Sequence, residues 1–323
     1  MKKILVTMSV SDEYRDKMLA AADPSEYALV FKGNAAGGNA DIDEDDVKDA
    51  CAVLGHLPLP LIPVAGKLEW LQLMSAGADR YASAGTLPED VVLTNAVGGY
   101  GVAVSEHMVA LTLSVMKNLP VYSSGQVSRS WLRGTRQAKQ IQGANVLVLG
   151  MGNIGTEYAR QMKGLGCKVV GVRRSSGKAM PQYFDEQHTL DELDSLLPQA
   201  DVVAMVIPGG GQTAKLMDAR RISLMKEGAV LVNAGRGVSV DTDALTAALK
   251  SGKLFGAGLD VTDPEPLNKE NELWGMENVI ITPHVAGSLE GNSARVSEIL
   301  LENLTRYCSG RPLINVVDRA LGY

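Results

Sequence analysis

The sequence predicts an α/β protein of two doubly wound domains with parallel sheets, one inserted into the other. Three observations carry this reading. Apolar runs of strand length alternate with helix-length segments along most of the 323 residues, the signature of βαβ units. The alternation breaks once, at Gly98-Gly99-Tyr100-Gly101, and restarts at Val146 after a long helical stretch. A last helical segment and tail, 288–323, then return the chain to the first domain. The length alone favours two domains. The expected division is 1–98 plus 288–323 for one and 99–287 for the other.

In the first domain strands are expected at 4–8, 27–31, 52–54, 71–74 and 91–94. Helices are expected at 12–22 and, exposed and acidic, at 41–49, with a glycine-rich loop at 34–39. Pro58 and Pro60 exclude a central strand or helix interior at 57–60. An apolar helix at 102–116 and a further helical segment at 119–131 lead into the second domain. Its strands are expected at 146–149, 168–172, 201–206, 229–233, 256–259 and 279–282, with helices such as 190–197, 218–225 and 242–251 between them. That is a six-strand doubly wound set.

Composition narrows the function classes. Hydrophobic residues make up 46% and charged residues 21%, as in soluble globular proteins. The net charge is −6 and no basic run is long enough to expect a nucleic-acid partner; Arg133, Arg136 and Lys139 read as a solvated face. No apolar run approaches the roughly 18 residues needed to span a bilayer, so no membrane role is expected. The short apolar run after Met1-Lys2-Lys3 gives way at once to Ser11-Asp12-Glu13 and reads as a strand rather than a signal segment. Cys51, Cys167 and Cys308 lie far apart and form no metal spacing; reduced thiols in a cytoplasmic protein without a metal site are expected.

The strand at 146–149 ends in Gly150-Met151-Gly152-Asn153-Ile154-Gly155, a G-x-G-x-x-G turn ahead of a helix expected at 156–163. Gly150 permits the turn, Gly152 lets a pyrophosphate approach the backbone, and Gly155 lets helix and strand pack closely. This context, with Asn153 and Ile154 inside the turn, marks a Rossmann-like dinucleotide site. An NAD site ends its second strand in an acid that bonds the ribose hydroxyls. Here Arg173-Arg174-Ser175-Ser176 follows that strand. Guanidinium groups and a hydroxyl suit a 2′-phosphate, so NADP(H) is favoured, with NAD(H) possible.

Proton-transfer chemistry near neutral pH draws most readily on histidine, and there are four. His188 sits in a polar stretch and reads as a surface residue; His107, one turn into an apolar helix, reads as buried and satisfied; His56 ends a strand beside the proline-rich loop. His284 follows Pro283 at the carboxyl end of a strand, where ligands bind in this fold. Neighbouring strand ends place Arg236 between two glycines, Asp260 at a terminus, and Glu265 between two prolines.

These segments resemble the D-isomer-specific 2-hydroxyacid dehydrogenases, in the manner of glyoxylate/hydroxypyruvate reductases. The matching pieces are 150–155, 232–237, 258–266 and 282–287, in the family's order and spacing, with weaker matches at 75–79, 94–95 and 105–107. The resemblance implies that Arg236, Glu265 and His284 are catalytic. It implies that Asp260 bonds the nicotinamide carboxamide, that Pro208, Thr213 and Ala234 touch the cofactor, and that Ser75, Ala76 and Gly77 hold the substrate carboxylate beside Arg236 and His284. The implied reaction is hydride transfer from NADPH to a 2-keto acid to give a D-2-hydroxy acid, in a homodimer. A reading of another class is a nucleotide-sensing, corepressor-like protein of the same fold. One segment departs from the family: Gly209-Gly210-Gly211 lies between Pro208 and Thr213, where relatives carry a proline-leucine-threonine type of sequence.

Overall fold

The computed structural model describes residues 1–33, 41–133, 136–175, 177, 179–289 and 292–322. The loop expected at 34–39 and Ser176 lie outside the described residues. The chain divides into two compact units, Met1–Tyr100 with Glu290–Tyr323, and Gly101–Leu289.

In the first unit β1 (Lys2–Val6), α1 (Asp12–Ala21), β2 (Tyr27–Phe31), α2 (Glu44–Val47), β3 (Ala50–Leu54), β4 (Trp70–Gln72), α3 (Asp79–Ala82) and β5 (Val92–Thr94) follow in order. The five strands form a parallel sheet in the order β2-β1-β3-β4-β5. The proline-rich stretch forms a 3₁₀ turn, Leu59–Val64, as its missing N–H groups require. The chain's last helix, Asn292–Cys308, packs Val296, Leu300 and Leu304 against Ile4, Val6 and Trp70 of the sheet. Its buried Asn303 donates to Gln72 Oε1 at 2.7 Å, and Thr94 Oγ1 donates to the same oxygen at 2.8 Å. Buried polar groups are satisfied in this way where helix meets sheet.

The second unit begins with α4 (Gly101–Met116) and α5 (Leu119–Val127). β6 (Asn145–Leu149), α6 (Asn153–Gly164), β7 (Lys168–Arg173), β8 (Glu186–Thr189), α7 (Leu193–Leu196) and β9 (Val202–Met205) follow. α8 (Ala219–Leu224), β10 (Ala229–Asn233), α9 (Thr242–Lys250), β11 (Leu254–Leu259) and β12 (Val279–Ile281) complete it. The sheet order is β12-β11-β10-β9-β6-β7-β8, all parallel. Its central strands are apolar on both faces, because helices cover both sides: Leu147, Leu149, Val203, Met205 and Leu231 lie in one core.

The structure corrects three expectations here. The sheet has seven strands, not six. The extra strand, β8, reads Glu-Gln-His-Thr, each residue half-buried, and pairs only with β7 at the sheet edge. An edge strand needs one ladder and tolerates polar side chains, so it carries no apolar signal. The second helix of the linking stretch ends at Val127 rather than 131, where Arg129 takes φ +54°. The helix after the glycine turn starts at Asn153 rather than 156, so the whole turn feeds its first N–H groups. Among the described residues no helix is long and apolar enough to cross a membrane.

Candidate active site

Parallel strands put their carboxyl ends on one edge of the sheet. The strand order of the second unit reverses between β6 and β9, so the loop after β6 leaves at the switch point. Its three glycines have three different reasons. Gly150 takes φ +109°, which side chains rarely adopt. A Cβ on Gly155 would lie 1.9 Å from the Gly150 carbonyl oxygen, so that helix and turn touch backbone to backbone. A Cβ on Gly152 would meet nothing within 4 Å. Open space there fronts the start of the 12-residue α6, whose first N–H groups have no acceptor within the helix. Backbone donors, room and the positive end of a helix dipole fit a pyrophosphate. Met151 is buried, and Gly171 on β7 leaves room for its sulfur and methyl; Ile154 is half-buried in the first turn of α6. The Asn153 side chain packs where a Cβ on Gly101 would be, locking α6 to the start of α4.

At the end of β7 the two arginines differ. Arg173 is half-buried and donates to Gln187 Oε1 of β8 at 3.2 Å and to the Ala179 carbonyl at 3.3 Å. Arg174 and Ser175 are exposed. Arg173 thus ties down the sheet edge, and Arg174 is the arginine open to solvent.

The loops after β9, β10 and β11 press against one another through glycine. A Cβ on Gly235 would lie 2.7 Å from the Ile207 carbonyl oxygen, and one on Gly237 would lie 1.9 Å from that of Thr262. Arg236 is held between them. Buried Asn233 clamps the turn, accepting from Gly235 N at 3.0 Å and donating to the Arg236 carbonyl at 3.0 Å, while Arg236 Nη1 donates to the Gly235 carbonyl at 2.8 Å. Half-buried Ala234 continues the ladder to β9 through Met205. Half-buried Pro208 opens the triple-glycine loop. The Thr213 hydroxyl closes its own loop, donating to the Pro208 and Gly210 carbonyls at 2.7 and 2.8 Å.

His284 and Glu265 meet on adjacent strand ends. His284 Nδ1 lies 2.6 Å from Glu265 Oε1, and both side chains are about half exposed, 48% and 44%. A carboxylate accepts only, so Nδ1 carries the proton in this pair and Nε2 is the nitrogen left for chemistry. His284 takes φ +54°, the left-handed region. Its N–H donates to the Asp260 and Thr282 carbonyls at 2.8 and 3.0 Å, which holds that conformation.

Asp260, directly after β11, is buried. Its side chain is 1% exposed. Oδ1 accepts from Thr282 Oγ1 at 2.6 Å and from Val285 N at 2.9 Å, and Oδ2 accepts from Ala286 N at 3.0 Å. The carboxylate lies beneath the His284 loop and fixes it from both sides. Because the Thr282 proton goes to Asp260, its oxygen accepts from His107 Nε2, 2.9 Å away. His107 therefore braces the same loop from α4. Asn233 and His107 are the positioning residues that sequence reasoning missed. For His107 the signal was its place one turn into an apolar helix, where a polar ring needs a partner.

In the first unit the loop after β4 has an ordered set of carbonyls. That of Met74 accepts from Tyr100 Oη at 2.6 Å, that of Ser75 from Ala96 N at 2.9 Å, and that of Ala76 from Asn95 Nδ2 at 3.0 Å. The Ser75 hydroxyl closes on the Gly77 carbonyl at 2.7 Å. A trans peptide points its N–H opposite to its C=O. Captured carbonyls at 74, 75 and 76 therefore leave the N–H groups of Ser75, Ala76 and Gly77 directed away from those partners. Anions bind to such successive amides.

His56, after β3, has its Nδ1 3.0 Å from Tyr81 Oη, and burial followed by the nearby Arg80 holds its pKa below the ordinary imidazole value. His188 lies on β8 between Glu192 and Glu186, away from the strand-end loops. Cys51, Cys167 and Cys308 are free thiols, each pushed up in pKa first by burial. Among the described residues no group of three or more metal-ligating side chains converges.

Comparison with known proteins shows the family. Residues 109–286 match the family model for the NAD-binding domain of D-isomer specific 2-hydroxyacid dehydrogenases. A solved structure of a protein of that family from Aeromonas salmonicida is 34% identical, with a TM-score of 0.83 over 98% of this chain and 99% of that one. An NADPH-dependent glyoxylate/hydroxypyruvate reductase from Sinorhizobium meliloti, solved with NADP and sulfate, is 27% identical, with a TM-score of 0.81 over the full length of both chains. Glyoxylate/hydroxypyruvate reductase B of Erwinia tasmaniensis is 30% identical over 85% of this chain and 87% of its own. The chain belongs to the D-isomer specific 2-hydroxyacid dehydrogenase family and is an NAD(P)-dependent oxidoreductase.

Proposed function

We propose that this protein reduces a small 2-keto acid of the glyoxylate or hydroxypyruvate type to the D-2-hydroxy acid, with NADPH preferred over NADH. The observation that carries the proposal is the His284–Glu265 pair, 2.6 Å apart on the strand-end edge that also bears Arg236 and the glycine turn. Bound NADPH supplies the hydride. The chain supplies the rest. Gly150, Gly152, Gly155 and the first turn of α6 hold the pyrophosphate, and Arg174 with Ser175 takes the 2′-phosphate. Pro208 and Ala234 border the cofactor. The amides of Ser75, Ala76 and Gly77 hold the substrate carboxylate, and Arg236 bonds the carboxylate and the keto oxygen through its planar guanidinium. As negative charge develops on that oxygen, the doubly protonated ring of His284 delivers its Nε2 proton to it and is left as the neutral Nδ1–H tautomer. Glu265 accepts from Nδ1 and keeps the ring in the required tautomer and orientation.

In this reading residues 1–98 with 288–323 form the substrate domain and 99–287 the dinucleotide domain. The NADP- and NADPH-bound relatives support the cofactor preference. We place the protein in the cytoplasm, which its free cysteines suit. We assign it as a homodimer, for which Val127 and Trp131, 85% and 89% exposed at and beyond the end of α5, offer apolar contact surface. A mass of one chain by sedimentation would refute that assignment.

The test is a panel of 2-keto acids assayed with NADPH and NADH separately. Turnover of glyoxylate or hydroxypyruvate, faster with NADPH, is expected. Tight NADPH binding without turnover of any acid would favour nucleotide sensing instead, and a preference for NADH would remove the assignment of Arg174.

A further inference from the structure

The three glycines between Pro208 and Thr213 are not equivalent. Gly210 and Gly211 take φ +93° and +45°, and a Cβ on either would meet nothing within 4 Å. They are glycine for the backbone. Gly209 has no such φ, but a Cβ there would lie 2.9 Å from Arg236 Cγ, 3.2 Å from Arg236 Cβ and 3.4 Å from Val238 Cγ2. It is glycine for the space it leaves to Arg236.

We propose that Gly209 is a positioning residue that sets the direction of the Arg236 guanidinium. The inference rests on the role given to Arg236 above. The atoms a new Cβ would press on are the first carbons of the arginine stem, not its free end. The clamp of Asn233 on the Arg236 turn, with its neighbours packed against Ile207 and Thr262, holds Cβ in place. Relief at Cγ comes by rotation about χ1, which redirects the guanidinium. The loop is a firm wall despite its glycines. Thr213 Oγ1 bonds both the Pro208 and Gly210 carbonyls, and Thr213 N donates to Gly210 at 3.0 Å. Gly209 thus acts through Arg236 on the substrate.

The test is Gly209→Ala in the whole enzyme, alone and combined with Arg236→Ala. Turnover of glyoxylate with NADPH, inhibition by oxamate, and NADPH affinity are measured for each. Gly209→Ala is expected to lower kcat/KM for glyoxylate and weaken oxamate by about tenfold to a hundredfold, mainly through KM. NADPH affinity is expected to stay within about twofold. On the Arg236→Ala background the same substitution is expected to change oxamate inhibition little, since its target is gone. Thr213→Val, which unties the loop, should give the same Arg236-dependent loss, and Thr213→Ser should restore it. A Gly209→Ala enzyme within about twofold of the parent, or an equal loss with and without Arg236, would overturn the inference while leaving the proposed reaction standing. A parent enzyme that turns over no 2-keto acid would instead refute the proposed reaction, and the inference with it.

Discussion

His284 shows how much one residue can carry and how its setting is divided. Its identity and its place after Pro283 at a strand end are visible in the sequence, as are Glu265 between two prolines and Arg236 between two glycines. The left-handed backbone of His284 is not. A non-glycine residue at φ +54° is uncommon, and strain of this kind persists only where surrounding bonds over-determine it. Those bonds come from Asp260 and from Thr282, which Asp260 and His107 hold in turn, and Asp260 and His107 are far away in the chain. Asp260 is the sharper lesson. Its place at a strand end is visible in the sequence, but that both its oxygens hold the loop that carries His284 is not. Replacing His284 with Gln keeps much of the volume and removes the proton donor. Turnover is expected to fall by about 10² to 10⁴, with NADPH affinity by fluorescence titration within about twofold; near-parental turnover would remove His284 as the acid.

At the scale of elements, the alternation of strand and helix is legible because buried parallel strands must be continuously apolar. β8 is the exception that this rule cannot see. It is held by polar contacts: Lys168 to Glu186 at 2.7 Å, and His188 to Glu192 and Glu186 at 2.9 and 3.2 Å. The hydrogen bond that His188 Nδ1 donates to Glu192 raises the His188 pKa; burial opposes it, and the bond to Glu186 adds to the rise. The partner Glu192 is held down to about 2, chiefly by the His188 hydrogen bond and then by Thr189 N–H. A histidine raised above its unfolded value, about 6.5, contributes stability that is fully present below that value. The contribution is lost as pH rises through the folded pKa. Denaturant midpoints of the parent and His188→Gln should therefore differ most near pH 5 and converge by about pH 9. A gap that does not change with pH would show that β8 is held by packing instead.

Over the whole molecule, each unit is a parallel sheet with its own core, and the chain leaves the first unit for the second before the last helix returns. The features proposed to hold NADPH all lie in the second unit, at the start of α6 and just beyond β6, β7, β9 and β10. A ligand that binds only the folded state stabilises it by about 2.7 kcal/mol at a hundred times its Kd. NADPH is expected to raise the unfolding temperature more than NADH at equal concentration, and Arg236→Ala should keep that difference. An equal shift from both nucleotides would contradict the 2′-phosphate reading of the strand end.

The sequence by itself determined the α/β class, the dinucleotide turn, the arginines in place of an acid, and the identity of Arg236, Glu265 and His284. Each depends on residue types at short spacing, which a chain displays without being folded. Only the tertiary structure decided what holds these residues. The support that His107, Thr282 and Asp260 give the His284 loop, the captured carbonyls behind the Ser75–Gly77 amides, the edge strand β8 and the room that Gly209 leaves for Arg236 all join segments distant along the chain. Hydrogen bonds and close contacts act over a few ångströms of space, and such contacts exist only once each sheet brings its own strand ends to one edge.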